Sequence, residues 1–96
     1  MLCALTVRRL KPGAFEDFEQ EWDSVEQPEG WTHSYTVRNI DDQDEIVSFG
    51  FFDGSLAQLR QSQNEFDYAN WRARVDALVE STGTDGIFEV VIEQEG

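Results

Sequence analysis

His33 is the only imidazole in the sequence, and no other side chain ordinarily changes charge near neutral pH. It is therefore the candidate general base for a weakly acidic proton such as that of a phenol. Alternation places it on one strand face with Trp31, Tyr35 and Val37. If that face looks into a pocket, Trp31 and Tyr35 can hold a planar ligand while His33 takes its proton. If it looks toward a second subunit, His33 is an interface residue. A second group opens a helical stretch: Tyr68 and Arg72 are four apart, Trp71 lies on the same side, and Asn64 and Asn70 are close by. These residues could line one wall of a pocket. Alternatively, Tyr68 and Trp71 are core at helical spacing and Arg72 pairs with Asp76 at i+4 on the surface. Asp41, Asp42, Asp44 and Glu45 offer oxygen ligands for a hard cation, but they lack the glycine-bearing loop of a calcium site and read as a solvated turn. Cys3 is the only thiol, so it closes no intrachain disulfide and behaves as a small hydrophobe. No metal site is expected, and no glycine-rich phosphate loop is present.

The elements that must position these residues follow from periodicity. Leu2 to Leu10 alternates, with Cys3, Leu5 and Val7 opposite Ala4, Thr6, Arg8 and Leu10, and predicts a first strand. Lys11, Pro12 and Gly13 end it. Phe15, Phe18, Trp22 and Val25 then recur at helical spacing, with Glu16, Asp17, Glu19, Glu21 and Asp23 on the solvent side. Pro28 and Gly30 stop this helix. A second strand runs from Trp31 to Ile40, an acidic turn follows, and Ile46 to Phe52 completes a hairpin. Ser55 caps a short helix through Gln61 with Leu56 and Leu59 inward. A longer helix from about Glu65 to Ser81 presents Tyr68, Trp71, Arg72, Val75, Leu78 and Val79 on one face. Thr82 to Gly86 reads as a break, and Ile87 to Glu93 as the last strand.

The order β, α, β, β, α, β predicts an α+β, ferredoxin-like, four-stranded antiparallel sheet with its helices on one face. The other face is bare, yet both faces carry large apolar groups, among them Phe49 and Phe51 opposite Phe52, and Val91 opposite Phe88 and Ile92. Monomers rarely expose such a patch, so two sheets packed face to face in a homodimer are expected.

Composition bounds the partners. The 96 residues suit one domain spanning 1–96. With 20 acidic against 7 basic residues and a net charge of −13, the surface repels phosphate backbones and anionic lipid, which argues against nucleic acid and membrane partners. An aromatic content of 12% separates the chain from disordered acidic tails. The apolar start meets Arg8 and Arg9 too soon for a signal peptide or a membrane span, and a cytoplasmic location is expected.

The length, the element order, the first strand leading into Leu10, Lys11, Pro12, Gly13, Ala14 and Phe15, and the aromatic helix from Phe66 through Trp71 resemble the antibiotic biosynthesis monooxygenase family of the dimeric α+β barrel superfamily. The resemblance covers nearly the whole chain. It implies a ligand pocket between helices and sheet, and it makes Asn64 and Trp71 the polar and aromatic pocket residues. The expected catalytic set is then His33, Asn64 and Trp71, with Trp22, Tyr35, Tyr68 and Arg72 contacting substrate. The family includes small oxygenases that oxidise quinols or anthrones with neither metal nor flavin, so no cofactor is expected, and also haem-degrading relatives and proteins without demonstrated activity. Haem degradation of that type needs an axial His on the second long helix and an Asn in the first strand, and neither is present. Two functions remain open: a cofactor-independent monooxygenase of an electron-rich aromatic, and a non-catalytic dimer that binds a small ligand. A third, a structural dimer, requires Phe15, Phe18, Trp22, Trp71 and Phe88 to fill the interior.

Overall fold

The computed structural model describes residues 1–23 and 25–96. Along the chain stand β1 (Leu2–Leu10), α1 (Phe15–Asp23), β2 (Trp31–Arg38), β3 (Glu45–Phe52), α2 (Leu56–Glu65), α3 (Tyr68–Asp76) and β4 (Val79–Glu89). The strands form one sheet in the order β2-β3-β1-β4, with every neighbouring pair antiparallel. This is the ferredoxin-like arrangement that the element order predicts.

Alternation decides which residues meet the helices. In β1 and β3 the even positions are buried toward them, among them Thr6, Arg8, Leu10, Ile46, Ser48 and Phe52, whereas the odd positions face away and are only partly covered. The helix side closes over Leu10, Ala14, Phe18, Ile46, Trp71 and Val75. Phe18 is fully buried because the stripe that begins at Phe15 turns it onto the sheet. Gly13 makes the turn into α1 at φ 77°, a conformation that costs glycine least. At α2, Ser55 Oγ accepts from the Gln58 N–H at 3.2 Å while Gln58 Oε1 accepts from the Ser55 N–H at 2.8 Å, a reciprocal cap.

Four details depart from the sequence expectation. Helix α2 continues past Gln61 to Glu65; of its two leucines only Leu59 turns inward, while Leu56 is 46% exposed. The long helix expected from Glu65 to Ser81 is shorter, Tyr68–Asp76, because Asp67 adopts a left-handed conformation at φ 57° and separates it from α2. Thr82 to Gly86 is not a break. It lies inside β4, where pairing with β1 overrides the local preference of its glycines and polar residues, and the strand ends at Glu89 rather than Glu93. Finally, the register slips between Trp31 and His33. The extra residue of that bulge puts Trp31 opposite Phe52, on the helix side, and His33, Tyr35 and Val37 opposite Phe51, Phe49 and Val47, on the open side. The four residues expected on one face of β2 therefore divide between two.

Candidate functional site

The helix side of the sheet is hollow at its middle. The cross-strand rows there are built from Ala4, Thr6, Ser34, Ser48 and Gly50, too small to reach the helices. Above them lies a cavity of about 280 Å³, near the lower end of the roughly 300–1,000 Å³ usual for ligand pockets. A filled interior, the requirement of a purely structural dimer, is therefore not what these residues build. Gly50 lets the Trp31 ring lie close on the sheet: a Cβ there would come within 3.3 Å of that ring.

The walls are aromatic. All three tryptophans of the chain line the cavity, with Phe66 and Tyr68. Trp22 meets Trp71 edge to face at 4.7 Å, and Tyr68 lies 5.8 Å from both Phe66 and Trp71. The three indoles differ in what their N–H groups do. Trp31 donates to Ser62 Oγ at 2.8 Å and Trp71 to the Glu21 carbonyl at 3.0 Å. Trp22 Nε1 is buried with no partner among the described residues.

Arg8 is the unusual member of the lining. It occupies a helix-facing position of β1, is 2% exposed, and has no hydrogen-bond partner at Nε or Nη1 among the described residues. The Phe18 ring lies 5.8 Å from its guanidinium carbon. Burial pulls its pKa below the usual arginine value, and the nearby Arg72 adds to the effect.

Beside the cavity, a polar depression shares Thr6, Gln63 and Tyr68 with it and adds Arg60, Arg72 and Asp85. Arg72 is the hub. It donates to Tyr68 Oη at 2.7 Å, Asp85 Oδ2 at 2.8 Å and Asp76 Oδ1 at 3.2 Å, while Thr6 Oγ1 donates to Asp85 Oδ1 at 3.0 Å. Burial alone would lower the Arg72 pKa, but the bonds from Asp85 and Tyr68 outweigh it and hold the pKa above its ordinary value. The same bond from Arg72 is the main reason Asp85 sits below the usual carboxylate range.

The structure brings together part of the set expected from sequence. Trp22, Tyr68 and Trp71 line the cavity, and Arg72 reaches it through the Tyr68 hydroxyl. Trp71 serves as wall rather than donor, since its N–H is taken by Glu21. Arg72 also makes the i+4 ion pair with Asp76. His33 and Tyr35 are elsewhere: they stack on the open face at 6.3 Å with rings 3° from parallel, and Tyr35 is 51% exposed. Across a sheet from the cavity, His33 cannot take a proton from a ligand inside it. Asn64 is exposed on α2 and its neighbour Gln63 takes the place in the lining. Among the described residues no group of three or more His, Cys, Asp or Glu could hold a metal ion, and Asp42 of the acidic turn instead pairs with Arg9 at 2.5 Å. No helix of the described residues is long and apolar enough to cross a membrane.

Sequence reasoning passed over Arg8, Thr6, Ser34, Ser48, Gly50 and Gln63. A signal was present. A cation in phase with Ala4 and Leu10 on a strand whose partner reads Ser48, Gly50 at matching positions marks a helix-facing surface that side chains do not fill.

No family model and no curated protein matches the chain. Solved structures do. The cofactor-independent oxygenase SnoaB from Streptomyces nogalater is 15% identical with a TM-score of 0.80, over 96% of this chain and 94% of that one. A protein from Mycobacterium tuberculosis is 18% identical with a TM-score of 0.79, over 98% of both chains. A candidate antibiotic biosynthesis monooxygenase from Chloroflexus aurantiacus is 15% identical with a TM-score of 0.76, over 99% of this chain and 96% of that one. The chain thus has the fold on which antibiotic biosynthesis monooxygenases are built; likeness at these identities fixes the fold and leaves the reaction to the site.

Proposed function

We propose that this chain is an oxygenase of the antibiotic biosynthesis monooxygenase type that acts, without a bound cofactor, on an electron-rich phenol, quinol or anthrone-like aromatic held between helices and sheet. The observation that carries this reading is the cavity: three indoles, Phe66 and Tyr68 around a floor of small side chains, where close packing is the rule. The fold likeness to an enzyme named as a cofactor-independent oxygenase adds to it.

The chemistry asks little of the protein. An ionised phenol is electron-rich enough to reduce dioxygen, so the site must hold the ring, exclude water and stabilise the anion. For a ring methylene, the carbon loses both hydrogens, one oxygen atom stays on it as a carbonyl, and the other leaves as water. Among the described residues the lining contains no carboxylate, imidazole or thiol. Proton removal then depends on stabilising the anion rather than on a ready base, and the same fact favours the second reading, a binder without chemistry.

The open face of the sheet supports pairing with a second copy of the chain. Val47, Phe49 and Phe51 of β3 lie beside Leu5 and Val7 of β1 and Val37 of β2 on it, a contiguous apolar patch of the kind that marks interaction surfaces.

The deciding measurement is protein-dependent dioxygen uptake with a panel of phenols, quinols and anthrones. We expect uptake that is lost in Ser48→Leu, which pushes a side chain into the cavity, and unchanged in His33→Ala. Binding of these compounds without uptake by any of them would replace the oxygenase reading with the binding one.

A further inference from the structure

We propose that Arg8 and the Trp22 indole N–H form an anion clasp in the cavity, and that its ligand is a one- or two-ring aromatic carrying an ionised oxygen. The inference rests on the proposed function only in placing an aromatic ring there.

A buried guanidinium without hydrogen-bond partners is costly, and such groups in native structures call for an explanation. Here the chain has 20 acidic residues, yet none bonds Arg8 Nε or Nη1. The two carboxylates that act on it electrostatically are already engaged: Asp85 accepts from Thr6 and Arg72, and Asp76 accepts from Arg72. The Phe18 ring supplies a cation–π contact, which replaces no hydrogen bond. Trp22 Nε1 is the second buried donor in the same lining without a partner. Two orphaned donors, one of them charged, beside one cavity are complementary to an acceptor with negative charge. Among the described residues the lining holds no general base; the cation favours the ionised form of a phenol, whose proton passes to solvent water. Size sets the rest of the ligand class. The volume of about 280 Å³ is about twice the ~150 Å³ that accommodates benzene, which suits one or two fused rings.

The test is calorimetric titration near neutral pH with naphthoate and its neutral isostere naphthamide. Wild type is expected to bind naphthoate about ten- to a hundredfold more tightly, the range of a charge-assisted hydrogen bond. Arg8→Met should lose the preference while binding naphthamide within about threefold of wild type, Arg8→Lys should keep part of it, and Trp22→Phe should reduce it less than Arg8→Met. Phenolates are covered by para-nitrophenol, whose apparent pKa should fall by about one unit in saturating wild type and not in Arg8→Met. Equal affinity of wild type for the two naphthyl probes overturns the clasp and leaves the aromatic cavity standing. A preference that survives in Arg8→Met overturns the assignment to Arg8. Binding of neither probe overturns the cavity reading and the clasp with it. Should Arg8→Met not fold, the wild-type pair and Trp22→Phe still decide.

Discussion

The same four strands present two faces whose character is the reverse of their exposure. Toward the helices, at the middle of the sheet, stand Ala4, Thr6, Ser34, Ser48 and Gly50; away from them stand Leu5, Val7, Val47, Phe49 and Phe51. The covered side is small and polar at its centre, and the side without helices is large and apolar. A sheet that needed only its own helices for stability would have these sets exchanged. The contrast teaches that the two faces meet different demands: the covered one leaves a cavity between sheet and helices, and the open one leaves large apolar side chains without a helix over them. Each face can be perturbed without touching the other, and the perturbations separate the two roles.

The largest effect belongs to the rim of the covered side. Phe18 is fully buried and packs 6.1 Å from Trp22, so Phe18→Ala should cost about 3–5 kcal/mol, the usual range for an aromatic truncation in a core. Urea unfolding of both proteins measures it. A loss below about 1 kcal/mol would mean that the helices are not anchored where the cavity wall requires them.

On the open face, Phe51→Asp puts a charge beside Phe49 and His33. If the face meets a second copy, that charge is buried in an apolar interface, and the dimer should weaken at least about a hundredfold. Light scattering across a concentration series reads this directly. A wild type that stays monomeric at high micromolar concentration removes the partner from the argument and leaves the apolar face unexplained.

A smaller effect, of opposite sign, returns to the cavity. Arg8 sits among apolar neighbours with unpartnered donors, so Arg8→Met should stabilise the free protein by about 1–3 kcal/mol, raising Tm by roughly 4 °C or more. Stability gained where binding of an aromatic anion is lost would show that the cation is kept for its ligand.

How much of this contrast the sequence displays depends on the element. Alternation in Leu2–Leu10 and in Ile46–Phe52 grouped the residues that share a face of β1 and of β3, because a period of two survives as long as no residue is inserted. In β2 one inserted residue between Trp31 and His33 defeated the same reasoning, and with it the assignment of His33 as a pocket base. Nothing local announces that bulge; it follows from how Trp31 packs on Gly50 and Phe52 and bonds Ser62. The end of the chain misled for a related reason. Glycines and threonines in Thr82–Gly86 look like a loop, but the long β1 edge offers hydrogen bonds that they take up as part of β4. Tyr68 and Trp71 were legible as neighbours on one helix, and Trp22 as part of the stripe of another, from helical spacing. Arg8 was hidden because a cation is ordinarily read as surface, and only its phase within the alternation contradicts that.

The smallest predicted effect concerns Asp85, which links the cavity floor to its mouth. Bonds from Arg72 first and Thr6 second hold its carboxyl below the usual range, against the opposing pull of burial. A depressed native pKa stabilises the fold above the unfolded value near ~3.9, and the contribution disappears as pH falls through the native value. The side chain is 42% exposed, so solvent screening reduces the contribution to about 0.5 kcal/mol. Asp85→Asn should therefore lower the urea midpoint slightly at neutral pH, with the gap to wild type closing as pH falls below the usual carboxylate range. Asp42, which Arg9 also holds low, titrates in the same acid range but is identical in both proteins and cancels from the difference. A gap that persists unchanged into acid would assign the effect to hydrogen-bond geometry at Thr6 and Arg72 instead of to ionisation, and would detach the mouth of the cavity from the electrostatics of its floor.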